Sequence, residues 1–239
     1  MATLVLVRHG QASSLTKGDY DRLSPLGTRQ ARLLGEHWAA RLRHFDRAYV
    51  GPRRRHAQTY AEVVAAYEAH ERSLPAPQPL DALDEHHGIL VVREVLPELA
   101  RDDAELAAMV ERVARGEAVG GEFLRVFRRV MRAWADGSLP ARDDGPESFP
   151  AFRARVREGV RLMLAEAKRG QRIVAFTSGG VMAAAVCDAL GVDDGRAMDL
   201  SFAIRNAAVC ELRVAHDRAS LSVFNATPHL DDDALLTMV

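Results

Sequence analysis

The residues with the clearest chemical potential lie at the end of an apolar run near the start of the chain. Residues 4–7 are aliphatic, and Arg8, His9 and Gly10 follow them at once. The guanidinium of an arginine is always charged and can bind two oxygens of a phosphate group. A histidine is largely neutral near pH 7, and its neutral imidazole is a nucleophile, while a glycine leaves room for a ligand against the backbone. The tripeptide therefore predicts a site that binds an anion and attacks it, although a surface ion pair beside a strand-capping histidine explains these three residues equally well.

A second cluster of basic residues, "GPRRRHAQT" at 51–59, opens a predicted helix. The N-terminus of a helix attracts anions through its free amides and its dipole, so three arginines there are unfavourable unless something negative compensates them. We expect one or two of Arg53, Arg54 and Arg55 to face the site and the others to be solvated. His56 is interpreted as a residue of the helix surface rather than a catalyst.

Two further segments offer groups that phosphate chemistry requires. "TSGGV" at 177–181 is a strand-to-helix turn in which Ser178 and the amide of Gly179 can bind phosphate oxygens. "LDEHHG" at 83–88 supplies Glu85, a candidate proton donor for a leaving oxygen. Adjacent histidine side chains diverge and no third ligand is near them, so we predict neither a metal nor a cofactor here.

The pattern of the elements explains how such distant residues can meet. Buried strands are predicted at 3–7, 45–50 and 172–177, and they alternate with helices that begin near 25, 54, 147 and 181. Two more strands follow at 207–214 and 220–226, the Pro-rich residues 73–80 break the pattern, and helical periodicity fills much of 85–148. We predict one α/β domain over 1–239, a three-layer α-β-α fold with a mostly parallel sheet, one antiparallel edge and a helical lid insertion at about 86–148 over the site. Ligands of such folds bind beyond the carboxyl ends of the strands, where Arg8 and Thr177 stand.

The composition excludes several classes of partner. The 239 residues carry a net charge of −1, which argues against broad binding of nucleic acid or of an anionic membrane. The two cysteines form no disulfide framework, and the apolar run at the start is too short for a signal peptide. We therefore expect a cytoplasmic protein whose partner is a small phosphorylated substrate. Whether it forms a homodimer is left open.

Five segments together resemble the histidine phosphatase, or phosphoglycerate mutase-like, superfamily. They are "LVRHGQ" (6–11), "LSPLGTRQARLLG" (23–35), "GPRRRHAQT", "LDEHHG" and "PESFPAFRARV" (146–156). The resemblance implies that His9 attacks phosphorus and carries the phosphoryl group. It also implies that Arg8 and Arg55 hold the phosphoryl oxygens, and that Glu85 protonates the leaving group and then activates water.

The chain departs from this family at Ser178, which stands where the family has a second histidine. A hydroxyl donates a hydrogen bond but carries no charge, so a weakly active enzyme or a phosphate-binding pseudoenzyme is one possible function. A phosphatase for a small phosphomonoester and a phosphoglycerate mutase are the others. The segment after "RHGQ" lacks the tryptophan and asparagine associated with the mutases, which favours hydrolysis. Whether His86 or His87 compensates for the missing histidine is left open, as is the identity of the phosphoester.

Overall fold

Six strands form one sheet in the order β3-β2-β4-β1-β5-β6. The computed structural model describes residues 1–13, 19–115, 121–138, 145–215 and 218–238. The strands are β1 (Ala2–Arg8), β2 (Arg47–Val50), β3 (Pro77–Pro79), β4 (Arg172–Thr177), β5 (Val209–Ala215) and β6 (Arg218–Ala226). The first four are mutually parallel, whereas β5 is antiparallel to both β1 and β6. The predicted fold class, with its antiparallel edge, is confirmed.

Helices cover the sheet and the carboxyl edge of its strands. They are α1 (Pro25–Ala40), α2 (Arg54–Glu68), α3 (Gly88–Leu99), α4 (Ala104–Ala114), α5 (Glu122–Ala135), α6 (Phe149–Leu164), α7 (Gly179–Leu190) and α8 (Asp194–Ala203). Ser24 and Ser148 cap α1 and α6 with their side-chain oxygens, and in each helix a proline stands in the first turn, where its missing N–H costs nothing. None of the described helices is both long and apolar enough to cross a bilayer.

The core explains why the central strands are apolar without alternation. Leu4 and Leu6 of β1 contribute to the core on one face of the sheet, and Val5 and Val7 contribute to the core on the other face. All four side chains are fully buried. A strand with helices on both faces buries every side chain, which is the pattern predicted for 3–7.

The strand register brings the predicted site segments together. Arg8 is paired with Thr177, and the amide of His9 donates to the carbonyl of Thr177 at 2.9 Å. The amide of Gly51, just beyond β2, donates to the carbonyl of Phe176 at 3.0 Å. Three strands thus end side by side, and the residues that follow them share one edge of the sheet.

Three elements were missed by the sequence interpretation. β3 lies within the Pro-rich break at 73–80; as an edge strand it tolerates proline, because its outer N–H positions pair with no neighbour. α3 lies within the predicted helical insertion but was not singled out as a helix, and α8 was not predicted. α8 nevertheless has an N-cap at Asp193, whose carboxylate accepts from the amide of Arg196 at 3.0 Å.

Candidate active site

His9 is buried in the site, and its imidazole ring is neutral with a free lone pair on Nε2. Its side chain is almost fully buried, and its Nδ1 lies 2.7 Å from the carbonyl oxygen of Gly10. A carbonyl only accepts, so Nδ1 carries the proton and Nε2 keeps its lone pair. Burial, followed by the charges of Arg55 and Arg8, holds the pKa of His9 well below its ordinary value. The imidazole is therefore neutral across the physiological range.

Arg8 and Arg55 supply positive charge beside this imidazole. Arg8 is buried and donates from one terminal nitrogen to the carbonyl of Ile204, while its buried Nε has no hydrogen-bond partner among the described residues. Arg55 is equally buried and donates to Asp21 at 3.0 Å. Within the part of the chain that the structure describes, the Nε of Arg55 also has no hydrogen-bond partner. Two buried guanidiniums with unused donors can bind an anion strongly, since burial keeps their charge unscreened.

The three consecutive arginines divide as the helix geometry requires. Arg55 faces the site, Arg53 forms a two-pronged ion pair with Asp84, and Arg54 pairs on the surface with Asp19 at 3.1 Å. The amide of Arg54 also donates to Asp21, which supplies the negative charge that the start of α2 lacks within its own sequence.

Glu85 approaches the same centre from the loop that precedes α3. Its Oε2 accepts from the amide of Gly180 at 3.0 Å, and its Oε1 accepts from the amide of His86 at 3.0 Å. Burial acts to raise the pKa of this carboxyl, but His86, the two amide donors and Arg55 together outweigh burial and lower it. Glu85 is therefore a carboxylate in this structure.

His56 does not lie on the helix surface, and that interpretation was wrong. It is fully buried, and its Nε2 lies 2.7 Å from the hydroxyl oxygen of Ser178. The centres of the His56 and His9 rings are 5.8 Å apart. The sequence did contain a signal for this position. A serine stands at 178, where the resemblance leads us to expect a histidine, and the chain carries a histidine at 56, directly after Arg55.

The remaining predicted residues fall in and around one cavity of about 270 Å³. Arg8, His9, Arg55, Glu85 and Gly179 line it, whereas Gly10 and Ser178 are direct chain neighbours of lining residues. Gly10 is needed for packing, since a Cβ there would lie 2.2 Å from the carbonyl oxygen of Gly27 in α1. His86 and His87 also line the cavity, but the ring of His86 packs on Trp134 and Phe152 and lies near Glu85 rather than Ser178.

The mouth of the cavity is apolar. Side chains from α3, α5 and α8 form this part of the wall: Ile89, Leu90, Phe123, Leu124, Phe127 and Phe202. α3 and α5, which lie within the predicted insertion, supply this apolar part of the wall together with α8.

Known proteins are similar to this chain in both sequence and fold. The sequence profile of the histidine phosphatase superfamily (branch 1) matches residues 4–137 and 116–227. A mycobacterial glucosyl-3-phosphoglycerate phosphatase is 20% identical, with coverage of 94% of this chain and 99% of its own and a TM-score of 0.59. A mutant of phosphoserine phosphatase from Entamoeba histolytica, in complex with phosphoserine, is 17% identical, with coverage of 96% and 100% and a TM-score of 0.63. No curated protein matches the sequence. The structural similarities establish the fold.

Proposed function

Because the chain belongs to the histidine phosphatase superfamily, we propose that it hydrolyses a small phosphomonoester through a phosphohistidine at His9. The observation that carries the proposal is one cavity in which a neutral imidazole, two buried guanidiniums and a carboxyl group converge. Solved phosphatases of the same fold support hydrolysis as the reaction. The cytoplasmic location and the homodimer stay predictions.

In the first step, the lone pair on Nε2 of His9 attacks phosphorus, and the bond from phosphorus to the alcohol oxygen breaks. Arg8 and Arg55 stabilise the charge on the phosphoryl oxygens. Glu85 gives its proton to the leaving oxygen. Glu85 takes up this proton from solvent when the substrate binds, because the negative charge of the phosphoryl group beside it raises the pKa of the carboxyl group and favours its protonated form.

In the second step, Glu85 is a carboxylate and takes a proton from water. The water oxygen attacks phosphorus, the phosphorus–nitrogen bond breaks, and phosphate leaves. Splitting the transfer into two displacements suits a neutral imidazole, which is both a good nucleophile and a good leaving group.

The test is turnover of 4-nitrophenyl phosphate together with trapping of the intermediate. We expect the protein to form an acid-labile, alkali-stable phosphoryl adduct, and His9→Ala to lose both adduct and turnover. His44→Ala is the matched control, because the side chain of His44 is 71% exposed. Equal turnover by His9→Ala refutes the proposal, and tight binding of orthovanadate without adduct or turnover identifies a phosphate-binding pseudoenzyme instead.

A further inference from the structure

The apolar mouth of the cavity lies where the alcohol of a bound phosphomonoester must lie. His9, Arg8 and Arg55 line the phosphate end, so the rest of a substrate extends past Glu85 toward α3 and α5. Phe127 stacks on Phe123 at a centre-to-centre distance of 6.3 Å and meets the edge of Phe202 at 6.1 Å. These rings form a continuous surface at the entrance.

Three large apolar side chains at this entrance are open to solvent. Ile89 is 49% exposed, Leu90 is 45% exposed and Phe123 is 43% exposed. Apolar surface gathered at the mouth of a binding site gains free energy when a ligand covers it. Arg53, which also lines the cavity, is already paired with Asp84.

On the basis of the proposed phosphatase function, we propose that the alcohol of the substrate is apolar, either aromatic or aliphatic, rather than a polyol or an amino acid. The phosphoryl group would lie against the arginines while the alcohol covers Ile89, Leu90 and Phe123. Binding free energy from this contact is available in the transition state as well, so it raises kcat/KM.

A series of alkyl phosphates tests this inference without changing the leaving-group chemistry much. We expect kcat/KM to rise about threefold to fourfold for each methylene from ethyl to hexyl phosphate, the factor for one buried methylene. Glycerol 1-phosphate should fall near ethyl phosphate. Phe123→Ser should lower the value for hexyl phosphate about tenfold and that for ethyl phosphate by a much smaller factor, because the shorter chain covers less of this ring.

Leu162→Ser is the matched control, since Leu162 is 45% exposed on α6 and does not line the cavity. A flat series, or a loss in Phe123→Ser that is equal for ethyl and hexyl phosphate, overturns the apolar substrate while the phosphatase function stands. Absence of turnover with every ester overturns both.

A second inference rests on a different observation, the buried pair of His56 and Ser178. Gly51 makes room for this pair: a Cβ there would lie 2.5 Å from Nδ1 of His56 and 2.8 Å from the carbonyl oxygen of Leu83. The helix that carries His56 and the turn that carries Ser178 adjoin at the carboxyl edge of the sheet. Burial, followed by the charges of Arg55 and Arg53, holds the pKa of His56 well below its ordinary value, so the ring is neutral.

We infer that His56 and Ser178 together serve as the hydrogen-bond donor that a single second histidine would provide. In this assignment Nε2–H of His56 donates to the hydroxyl oxygen of Ser178, 2.7 Å away, and the hydroxyl proton is free to donate toward the cavity that the adjacent Gly179 lines. His56 is thus a positioning residue that acts through Ser178. This inference also rests on the proposed phosphatase function.

Substitutions on both sides of the pair test the coupling. We expect Ser178→Ala to lower kcat by about 100-fold, the effect of losing one transition-state donor. His56→Leu should have a similar effect, and the double variant should be no worse than either single one. His56→Gln, whose amide N–H can still reach the hydroxyl, should keep kcat within about tenfold of the unchanged protein.

Relocation of the imidazole gives the sharper result. Ser178→His alone should stay impaired, because two imidazoles compete for one space, whereas Ser178→His combined with His56→Ala should recover most of the activity. Affinity for orthovanadate, measured by calorimetry on variants whose thermal unfolding shows them to be folded, gives a readout that needs no turnover. Full kcat and vanadate affinity in a folded His56→Leu, or independent losses that multiply in the double variant, overturn the coupling even if the phosphatase function stands.

Discussion

The substitution Gly180→Ala should displace Glu85, the proposed proton donor, and leave His9 and the arginines of the site in place. A Cβ on Gly180 would lie 2.2 Å from Oε1 of Glu85 and 2.8 Å from Cδ2 of His86. Ordinary contact begins at about 3.4 Å. In Gly180→Ala, the carboxylate must therefore move by more than about 1 Å, and its 3.0 Å hydrogen bond from the Gly180 amide is lost.

The size of the expected effect follows from the role of Glu85. A displacement of about 1 Å at a catalytic group costs on the order of 100-fold, and general acid catalysis contributes about 100- to 10,000-fold in total. We expect kcat/KM for an alkyl phosphate to fall by about 100-fold. A 2,4-dinitrophenyl ester, whose leaving group needs no proton, should lose less than about tenfold in the first step.

The assay is burst kinetics with both esters, since the burst isolates the first step from the release of phosphate. Gly195→Ala is the matched control: Gly195 lies in the first turn of α8, where the nearest atom to its Cβ is 3.6 Å away. Equal losses for the two esters would refute the reasoning, because they would place the damage on His9 or the arginines rather than on proton donation.

Three further predictions follow from the core and from the buried histidines. Phe152→Ala, at a fully buried position packed against Trp134 and Phe149, should lower the free energy of unfolding by about 3–5 kcal/mol in urea titrations; a loss below about 1 kcal/mol would contradict this packing. Burial lowers the pKa of His229 to about 3. Below pH 6.5 His229 therefore binds a proton in the unfolded chain but not in the folded protein, so the free energy of unfolding decreases as the pH falls. His229→Leu should remove about 2 kcal/mol of the stability that is lost between pH 8 and pH 5, and equal losses in both proteins would exclude a buried neutral ring. For an alkyl phosphate, kcat/KM should rise by up to about tenfold per unit as pH falls from 7 to 5, because His9 stays neutral there while Glu85 gains its proton; a decline through a pKa near 6.5 would contradict the lowered pKa of His9.

The central sheet was predictable because its strands obey one simple constraint. A strand segment covered on both faces must be apolar throughout, and residues 4–7 and 173–176, within the strands predicted at 3–7 and 172–177, satisfy this condition without help from the rest of the chain. The alternation of strands with helices then fixes a parallel sheet and places Arg8 and Thr177 at one edge. The convergence of Arg8, His9, Arg55 and Glu85 on one cavity follows from this topology together with the resemblance of the motifs.

The elements that were missed depend on contacts rather than on local pattern. β3 exists because β2 offers it an open edge, with Gln78 in register with Tyr49, and nothing in its own residues favours a strand. α3 carries Pro97 within its span and packs on α5, so packing rather than propensity holds it.

The prediction that His56 lies on the helix surface was wrong because helical periodicity uses only residues of the same helix and carries no information about distant segments that pack on it. The position faces a turn that lies 122 residues further along the chain, and burial there depends on Gly51 leaving space for a ring. The three positions are informative only together: a glycine that makes room, an imidazole that fills the room, and a serine whose hydroxyl oxygen lies 2.7 Å from that imidazole. Under the proposed function the site binds a phosphoryl dianion and needs a hydrogen-bond donor at this place, and the sequence of either segment alone does not indicate which segment supplies it. The space beside Ser178 is therefore what the fold requires to be filled. The side chain that fills it can come from the segment after β2 or from the segment after β4.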